Sequence, residues 1–149
     1  MIAVIQRVSS SSVTVENKVV GKIAQGLNIL LGVKKGDEIE DITNLVNKIV
    51  NLRIFSDENG KMNLSLLDVK GEALIISQFT LAGNVRKGRR PSFDSSEKPH
   101  KAKAMYEKFV EEFDALGVHT QTGVFGAHMD VDIHNDGPVT FIIDSNDLK

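Results

Sequence analysis

The sequence predicts a single compact α/β domain in which two helices cover one side of a mixed, barrel-like β-sheet. Two apolar runs, residues 27–33 and 73–76, lack a period-two alternation, so both faces of these strands are expected to be buried. Two other segments repeat apolar residues at helical spacing, and strand-like segments surround both. With 149 residues and no low-complexity tract, the chain is sized for one domain over residues 1–149.

Composition restricts the partners and the chemistry that are available. The net charge of −2, from 18 basic and 20 acidic side chains, excludes a globally basic nucleic-acid binder, so any polyanion must be met by a local patch. The absence of cysteine excludes disulfides and thiolate chemistry and favours a cytoplasmic location. The apolar residues 1–8 include Gln6 and Arg7 and are too few for a signal peptide or a membrane span, so we expect a strand and no membrane partner.

The first half of the chain is predicted to form strands and then a helix. Four strands are expected before the helix, over residues 1–8, 12–16, 19–24 and 27–33. Asp37 is the expected N-cap of the helix. The apolar face of this helix consists of Ile39, Ile42, Leu45, Val46, Ile49 and Leu52. A hairpin around Asn59-Gly60 is expected next, from residues 53–56 and 62–65.

The second half begins with the buried strand at residues 73–76. The loop that follows, residues 82–99, contains glycine and proline and is too long for a simple connector. Helical periodicity over residues 101–116 predicts the second helix, and Gly117 stands where a glycine ends such a helix. The remaining chain is predicted to form strands at 118–125, 127–134 and 139–143, with a tight connection at 135–138.

Polar side chains directly follow the apolar run at residues 73–76. Ser77, Gln78 and Thr80 are expected at the C-terminal end of a rigid central strand, where ligand crevices open in α/β layers. The alternative is that these residues only end a strand, as serine and threonine often do. The segment therefore predicts a site only when it is combined with a second motif.

That second motif is Asn135-Asp136-Gly137-Pro138-Val139-Thr140. Together with Ser77-Gln78-Phe79-Thr80-Leu81, it makes the chain resemble the D-aminoacyl-tRNA deacylases, also called D-tyrosyl-tRNA deacylases. The resemblance runs from the first strand to the last. It implies a homodimeric esterase, independent of metal and cofactor, that removes a D-amino acid from the 3′ end of tRNA and leaves L-aminoacyl-tRNA intact. It leaves open whether glycyl-tRNA is also a substrate.

The resemblance also implies roles for particular residues. The Gly137-Pro138 peptide bond would be cis and inserted into the pocket of the other subunit as the chiral filter, with Arg7 bracing its carbonyls. Residues 77–80 would hold the ester and the terminal adenosine, and Met129 would line the pocket. Glycine before proline suits this role because it leaves the backbone carbonyls bare. The alternative, from the residues alone, is a hairpin turn with a trans proline.

Hydrolysis needs an attacking oxygen and a site for the oxyanion. Thr80 and Ser77 are hydroxyl candidates, but each needs a base within hydrogen-bonding reach, and the sequence assigns none of the four histidines to them. These histidines are His100, His119, His128 and His134. The alternative, which the resemblance favours, is that main-chain N–H groups near Phe79, Thr80 and Phe125 stabilise the oxyanion while the 2′-hydroxyl of the tRNA assists the attack.

Two further patterns have both a functional and a structural interpretation. Period-two alternation places His128, Asp130, Asp132 and His134 on one strand face, as in a metal site, but same-face neighbours about 7 Å apart chelate poorly, so a solvated face is expected. The loop at residues 82–99 carries four basic residues: Arg86, Lys87, Arg89 and Arg90. Either these side chains bind tRNA phosphates, or the loop that carries them is only solvent-exposed.

Two rival functions follow from the same observations. A non-catalytic RNA-binding dimeric domain would use the basic loop for docking alone and would cleave no ester. A metal-dependent hydrolase would lose its activity with a chelator.

Overall fold

Strands surround two long helices in the computed structural model, which describes all of residues 1–149. In chain order the elements are β1 (Ile2–Val15), β2 (Lys18–Ile23), β3 (Gly26–Gly32), α1 (Ile39–Asn51), β4 (Phe55–Ser56), β5 (Met62–Leu64), β6 (Glu72–Ser77), α2 (Pro99–Ala115), β7 (Thr120–Thr122) and β8 (Asp130–Asp144). Short 3₁₀ helices cover Phe79–Ala82 and Ser145–Leu148. Neither long helix has the length and apolar character that crossing a membrane requires.

The main sheet is organised around β1, which pairs antiparallel with β2, β3 and β8. β3 and β7 each run parallel to β6, so the sheet is mixed, in the order β2-β1-β3-β6-β7 with β8 on β1. The sheet curls until β2 contacts β6 and β7, which nearly closes a barrel. A Cβ on Gly21 of β2 would lie 2.5 Å from the carbonyl oxygen of Thr122, so this close approach requires glycine.

The two faces of β6 explain its unbroken apolar sequence. Ala73 and Ile75 pack into a large cluster that also contains the apolar faces of α1 and α2, including the fully buried Phe109. Leu74 and Ile76 pack into a smaller cluster inside the barrel. Each buried leucine, isoleucine or phenylalanine side chain contributes about 1.5–3 kcal/mol by leaving water. Both helices therefore cover the same side of the sheet, which confirms the predicted architecture.

The predicted start of α1 is wrong by one residue. Glu38 is the N-cap, and its N–H donates to Asp41 Oδ2 at 2.8 Å in a capping box. Asp37 is buried and accepts hydrogen bonds from the Met1 amino group at 2.6 Å and from the Lys34 N–H at 2.6 Å. The carboxylate predicted as a cap is therefore the partner of a buried ammonium group.

The prediction of four strands before α1 is also wrong, because residues 2–15 form one continuous strand. Residues 9–12 are all serine and include the predicted break between residues 8 and 12, but Ser11 has partners within the sheet. Ser11 is buried, donates to the Asp132 carbonyl at 2.7 Å and accepts from Asn28 Nδ2 at 3.0 Å. These contacts satisfy the hydroxyl inside the barrel, so three strands precede α1.

The C-terminal strands differ from the prediction in their bounds. β7 covers only three residues, and residues 123–129 form a loop in place of the predicted strand ends. The predicted connection at 135–138 lies within β8 and overlaps a bulge of that strand. Val8 pairs with Asn135 and Gln6 pairs with Thr140, so four residues of β8 lie opposite the single residue Arg7.

Candidate active site

A cavity of about 790 Å³ opens at the C-terminal end of β6. Ser77 ends the strand at this cavity, and the 3₁₀ helix that follows turns the chain so that Gln78, Phe79 and Thr80 also line it. The apolar part of the wall includes Ile76 from the barrel interior. The four residues predicted from the sequence therefore meet at one pocket, at the strand end where such crevices form.

Hydrogen bonds fix this segment in place. The Gln78 N–H donates to the Leu31 carbonyl at 2.8 Å, and Ser96 Oγ donates to the Phe79 carbonyl at 3.1 Å. The Gln78 side chain donates from Nε2 to Thr80 Oγ1 at 3.0 Å. The hydroxyl of Thr80 thus interacts with a neutral amide, and no histidine forms a hydrogen bond with Thr80 or Ser77.

The 3₁₀ turn at the pocket leaves main-chain N–H groups without partners inside the turn. In the turn that begins at Phe79, the N–H groups of Phe79 and Thr80 have no acceptor within the turn, because their acceptors would precede it. Phe125 lines the facing wall from the loop at 123–129, where the Ala127 N–H donates to the Val124 carbonyl at 3.1 Å. The segment therefore has main-chain donors near Phe79 and Thr80, and the only side-chain partner of the Thr80 hydroxyl is an amide.

Phe93 is a pocket residue that no sequence pattern selects. Its ring lies 5.1 Å from that of Phe79, with an angle of 58° between the planes. Both side chains remain partly exposed, at 37% for Phe93 and 58% for Phe79, so the pair presents apolar surface at the cavity. The long loop brings Phe93 there, and only the folded chain reveals this contact.

The Gly137-Pro138 peptide bond is cis. Both residues are exposed, and neither lines the cavity of its own chain. Gly137 has a φ of +137°, a value that favours glycine. Arg7 holds the bulge differently from the expectation. It donates from Nε to the Asp136 carbonyl at 3.0 Å and from Nη1 to the Ile54 carbonyl at 2.8 Å, rather than to the Gly137 and Pro138 carbonyls.

Charged groups at the cavity were also not predicted. Glu97 is the only carboxylate that lines it, and its Oε2 lies 3.1 Å from Lys101 Nζ. Hydrogen bonds from the Lys98 N–H and from Lys101 lower the pKa of Glu97. Lys35 and Lys98 contribute cations to the same cavity.

The remaining predicted residues lie in several places. Met129 lines the cavity, and so does His128, which lies in the loop at 123–129 and not on a strand face with His134. No group of three or more histidine, aspartate or glutamate side chains lies close enough together to hold a metal ion. The loop cations are exposed and do not line the cavity; these are Arg86, Lys87, Arg89 and Arg90.

The fold and the pocket define a single-domain α/β protein with a cavity at the end of a central strand. Residues 4–144 match the family model described as D-Tyr-tRNA(Tyr) deacylase. The chain therefore belongs to that family of enzymes, as its two motifs indicate.

Relatives of this chain match along nearly its whole length. A D-aminoacyl-tRNA deacylase of Persephonella marina is 66% identical, with 99% of this chain and 100% of the relative covered. The one of Aquifex aeolicus is 61% identical, with the same coverage. A solved structure of a protein named c-Myc DNA Unwinding Element Binding Protein superimposes with a TM-score of 0.91 at 39% identity, covering 97% of this chain and 98% of that chain.

Proposed function

We propose that the chain hydrolyses the ester bond between a D-amino acid and the 3′ end of tRNA, and that it rejects the L-aminoacyl ester. The observation that carries this proposal is the pocket at the end of β6, which the Ser77–Thr80 segment of a deacylase family member lines together with Phe125. The products are the free D-amino acid and tRNA. Glycyl-tRNA is a further candidate substrate, because glycine has no side chain for a chiral filter to reject.

The reaction in this proposal relies on main-chain groups and on the substrate. Water adds to the ester carbonyl carbon, the oxyanion accepts hydrogen bonds from N–H groups near Phe79, Thr80 and Phe125, and the 3′ oxygen of the ribose leaves with a proton. The neighbouring 2′-hydroxyl of the adenosine assists the attack. The contact between Gln78 and Thr80 supports this route, because no base accompanies the Thr80 hydroxyl.

Stereochemical selection in this proposal uses a second copy of the chain. Gly137 and Pro138 are exposed and lie outside the cavity of their own chain, so they are free to enter the cavity of a partner. The same strand leaves Phe141 40% exposed and Ile142 71% exposed, on an edge strand that pairs only with β1. An apolar edge of this kind favours self-association, which supports a homodimer.

The filter works by fixing the position of the substrate's Cα. The carbonyls of Gly137 and Pro138 accept hydrogen bonds from the ammonium group of the amino acid, which leaves a D side chain in open space and directs an L side chain into the backbone. A clash of about 4 kcal/mol would discriminate roughly a thousandfold. Met129 lines the cavity that receives the substrate.

The exposed loop with Arg86, Lys87, Arg89 and Arg90 is proposed to contact phosphates of the acceptor stem. Its two arms are joined by a bridge between Asn84 and Ser92, and Gly88 has a φ of +68° near its tip. None of the four cations forms an ion pair within the chain, so all are available to a polyanion. The loop would add affinity without reading sequence.

The alternative of a non-catalytic nucleic-acid-binding domain has one specific observation in its favour, the name of the structural relative with a TM-score of 0.91. A deacylation assay on matched D- and L-aminoacyl-tRNA, with and without EDTA, separates the candidates. The proposal expects release of the D-amino acid only, at a rate that EDTA does not change. Binding without cleavage would support the docking domain, and loss of activity in EDTA would support a metal-dependent hydrolase.

A further inference from the structure

The cavity has a positively charged rim that the reaction itself does not use. Two lysines line the cavity. Lys35 lies in the segment between β3 and α1, and Lys98 is the N-cap residue of α2. The chain as a whole has a net charge of −2, so a local excess of cations at the pocket is not a consequence of composition.

The neighbouring lysines form ion pairs, and Lys35 and Lys98 do not. Lys34 pairs with Asp144 at 2.6 Å, and Lys101 pairs with Glu97 at 3.1 Å. Lys35 and Lys98 form no ion pair and donate no side-chain hydrogen bond. Glu97, the single carboxylate at the cavity, is occupied by Lys101 and by the Lys98 N–H at 2.8 Å.

The two segments that carry these lysines are tied together by the backbone. The Lys35 N–H donates to the Ser95 carbonyl at 2.9 Å, and the Glu97 N–H donates to the Val33 carbonyl at 3.1 Å. Lys34 and Ser96 form an isolated β-bridge between these two contacts. The backbone positions of Lys35 and Lys98 are therefore held relative to each other, although they are far apart in sequence.

We propose that Lys35 and Lys98 bind the phosphate on the 5′ side of the terminal adenosine, the phosphodiester that joins the last two nucleotides of the tRNA. This inference rests on the proposed function, which places the ester on the 3′ side of the same ribose at residues 77–80. The aminoacyl group carries an ammonium that would be repelled by lysines, so a cationic rim suits the opposite end of the nucleotide. A phosphate there carries one negative charge and no base identity.

Two model substrates test the phosphate contact without the rest of the tRNA. One is 3′-O-D-aminoacyl-adenosine, and the other is the same ester with a 5′-phosphate. The wild-type protein is expected to have a KM about three- to tenfold lower for the phosphorylated ester than for the unphosphorylated one. This is the gain in affinity expected from two charge contacts near the protein surface. In the Lys35→Gln/Lys98→Gln variant the two KM values should become equal. The control, Lys18→Gln/Lys22→Gln, removes two exposed and unpaired lysines outside the cavity and should keep the wild-type difference.

With intact D-aminoacyl-tRNA, the double variant should also reduce the slope of log KM against log salt concentration by about 0.7, the value expected for one phosphate on a single strand. The phosphate proposal is overturned if the 5′-phosphate leaves the wild-type KM unchanged, or lowers it equally in the double variant. A wild-type protein that cleaves neither D-aminoacyl-tRNA nor the model esters would instead remove the proposed function. Circular dichroism spectra and melting temperatures of the variants establish that each is folded.

Discussion

Gln78 Nε2 donates a hydrogen bond to Thr80 Oγ1 over 3.0 Å, and this amide is the side-chain partner of the hydroxyl. A hydroxyl becomes a nucleophile when a base removes its proton, and an amide N–H cannot do so. The contact orients the two side chains at the pocket wall instead.

We therefore predict that Thr80→Ala remains active. The variant should lose less than about tenfold in kcat, since one neutral hydrogen bond is worth about 0.5–1.5 kcal/mol. Single-turnover deacylation of D-aminoacyl-tRNA measures this directly. A complete loss of turnover in a variant that still binds tRNA would make Thr80 the nucleophile and remove the RNA-assisted mechanism.

Replacing Gly137 tests the chiral filter. At a φ of +137°, a Cβ would lie 2.7 Å from Val139 Cγ2 and 3.0 Å from the Val139 nitrogen, so the backbone must shift in Gly137→Ala. We expect kcat/KM for the D-ester to fall by at least tenfold, because the two carbonyls no longer meet the ammonium group. The exposed Gly60, which also has a positive φ but open space around it, provides the control variant Gly60→Ala. Equal kinetics in both variants would contradict the role of the bulge.

The basic loop makes a separate prediction about salt. Arg86→Gln/Arg89→Gln should reduce the slope of log Kd for tRNA against log salt concentration, by about 0.7 to 0.9 for each phosphate that the loop no longer neutralises. The same variant should cleave the two adenosine esters with wild-type kinetics, since the loop does not line the cavity. An unchanged salt slope would remove the loop from the tRNA interface.

Tyr106 links α2 to the site strand. Its hydroxyl is buried and donates to the Ile75 carbonyl at 2.7 Å, two residues before Ser77. Tyr106→Phe leaves that carbonyl without its partner, and we expect the free energy of unfolding to fall by about 1–3 kcal/mol in urea denaturation at pH 8.

The same side chain gives this prediction a pH dependence. Burial raises the pKa of Tyr106 to about 12, above its value of about 10 in an unfolded chain. The folded state favours the neutral phenol. The contribution of Tyr106 to the free energy of unfolding is therefore complete below about pH 10, and it falls by about 1.4 kcal/mol per pH unit as the pH rises towards about 12. Wild type and Tyr106→Phe should therefore converge in stability at alkaline pH. A constant difference between pH 8 and pH 11 would contradict the assignment, and the protein has only one tyrosine to complicate the titration.

The central strands β3 and β6 were predictable because a strand that is buried on both faces has a continuous apolar sequence. β3 and β6 lack alternation, and each lies between the helices and the barrel interior. The errors fall where distant partners override local preference. Residues 9–12 stay in β1 because Ser11 has partners on β3 and β8. The predicted connection at 135–138 stays within β8, where Asn135 pairs with Val8 and Arg7 donates to the Asp136 carbonyl.

The same distinction separates the site residues that were predicted from those that were missed. Ser77 to Thr80 are contiguous, and their motif is readable in one segment. The cavity also contains residues from two segments that are distant in sequence, namely Phe93, Lys35 and Lys98. The β-bridge between Lys34 and Ser96, and the backbone hydrogen bonds next to it, join these segments. No spacing rule connects those segments, so only the folded chain brings them together.

Subunit complementation tests most directly whether one protomer supplies the chiral filter to the pocket of another. Ala127→Trp should occlude the cavity that Ala127 lines, while Gly137→Ala should disrupt the filter. Each variant alone should be inactive or nearly so on D-aminoacyl-tRNA. After the two are unfolded together and refolded, half of the dimers are mixed and carry one intact site of two, so activity should return to about a quarter of the wild-type value. Mixed dimers that form and remain as inactive as their parents would contradict the account.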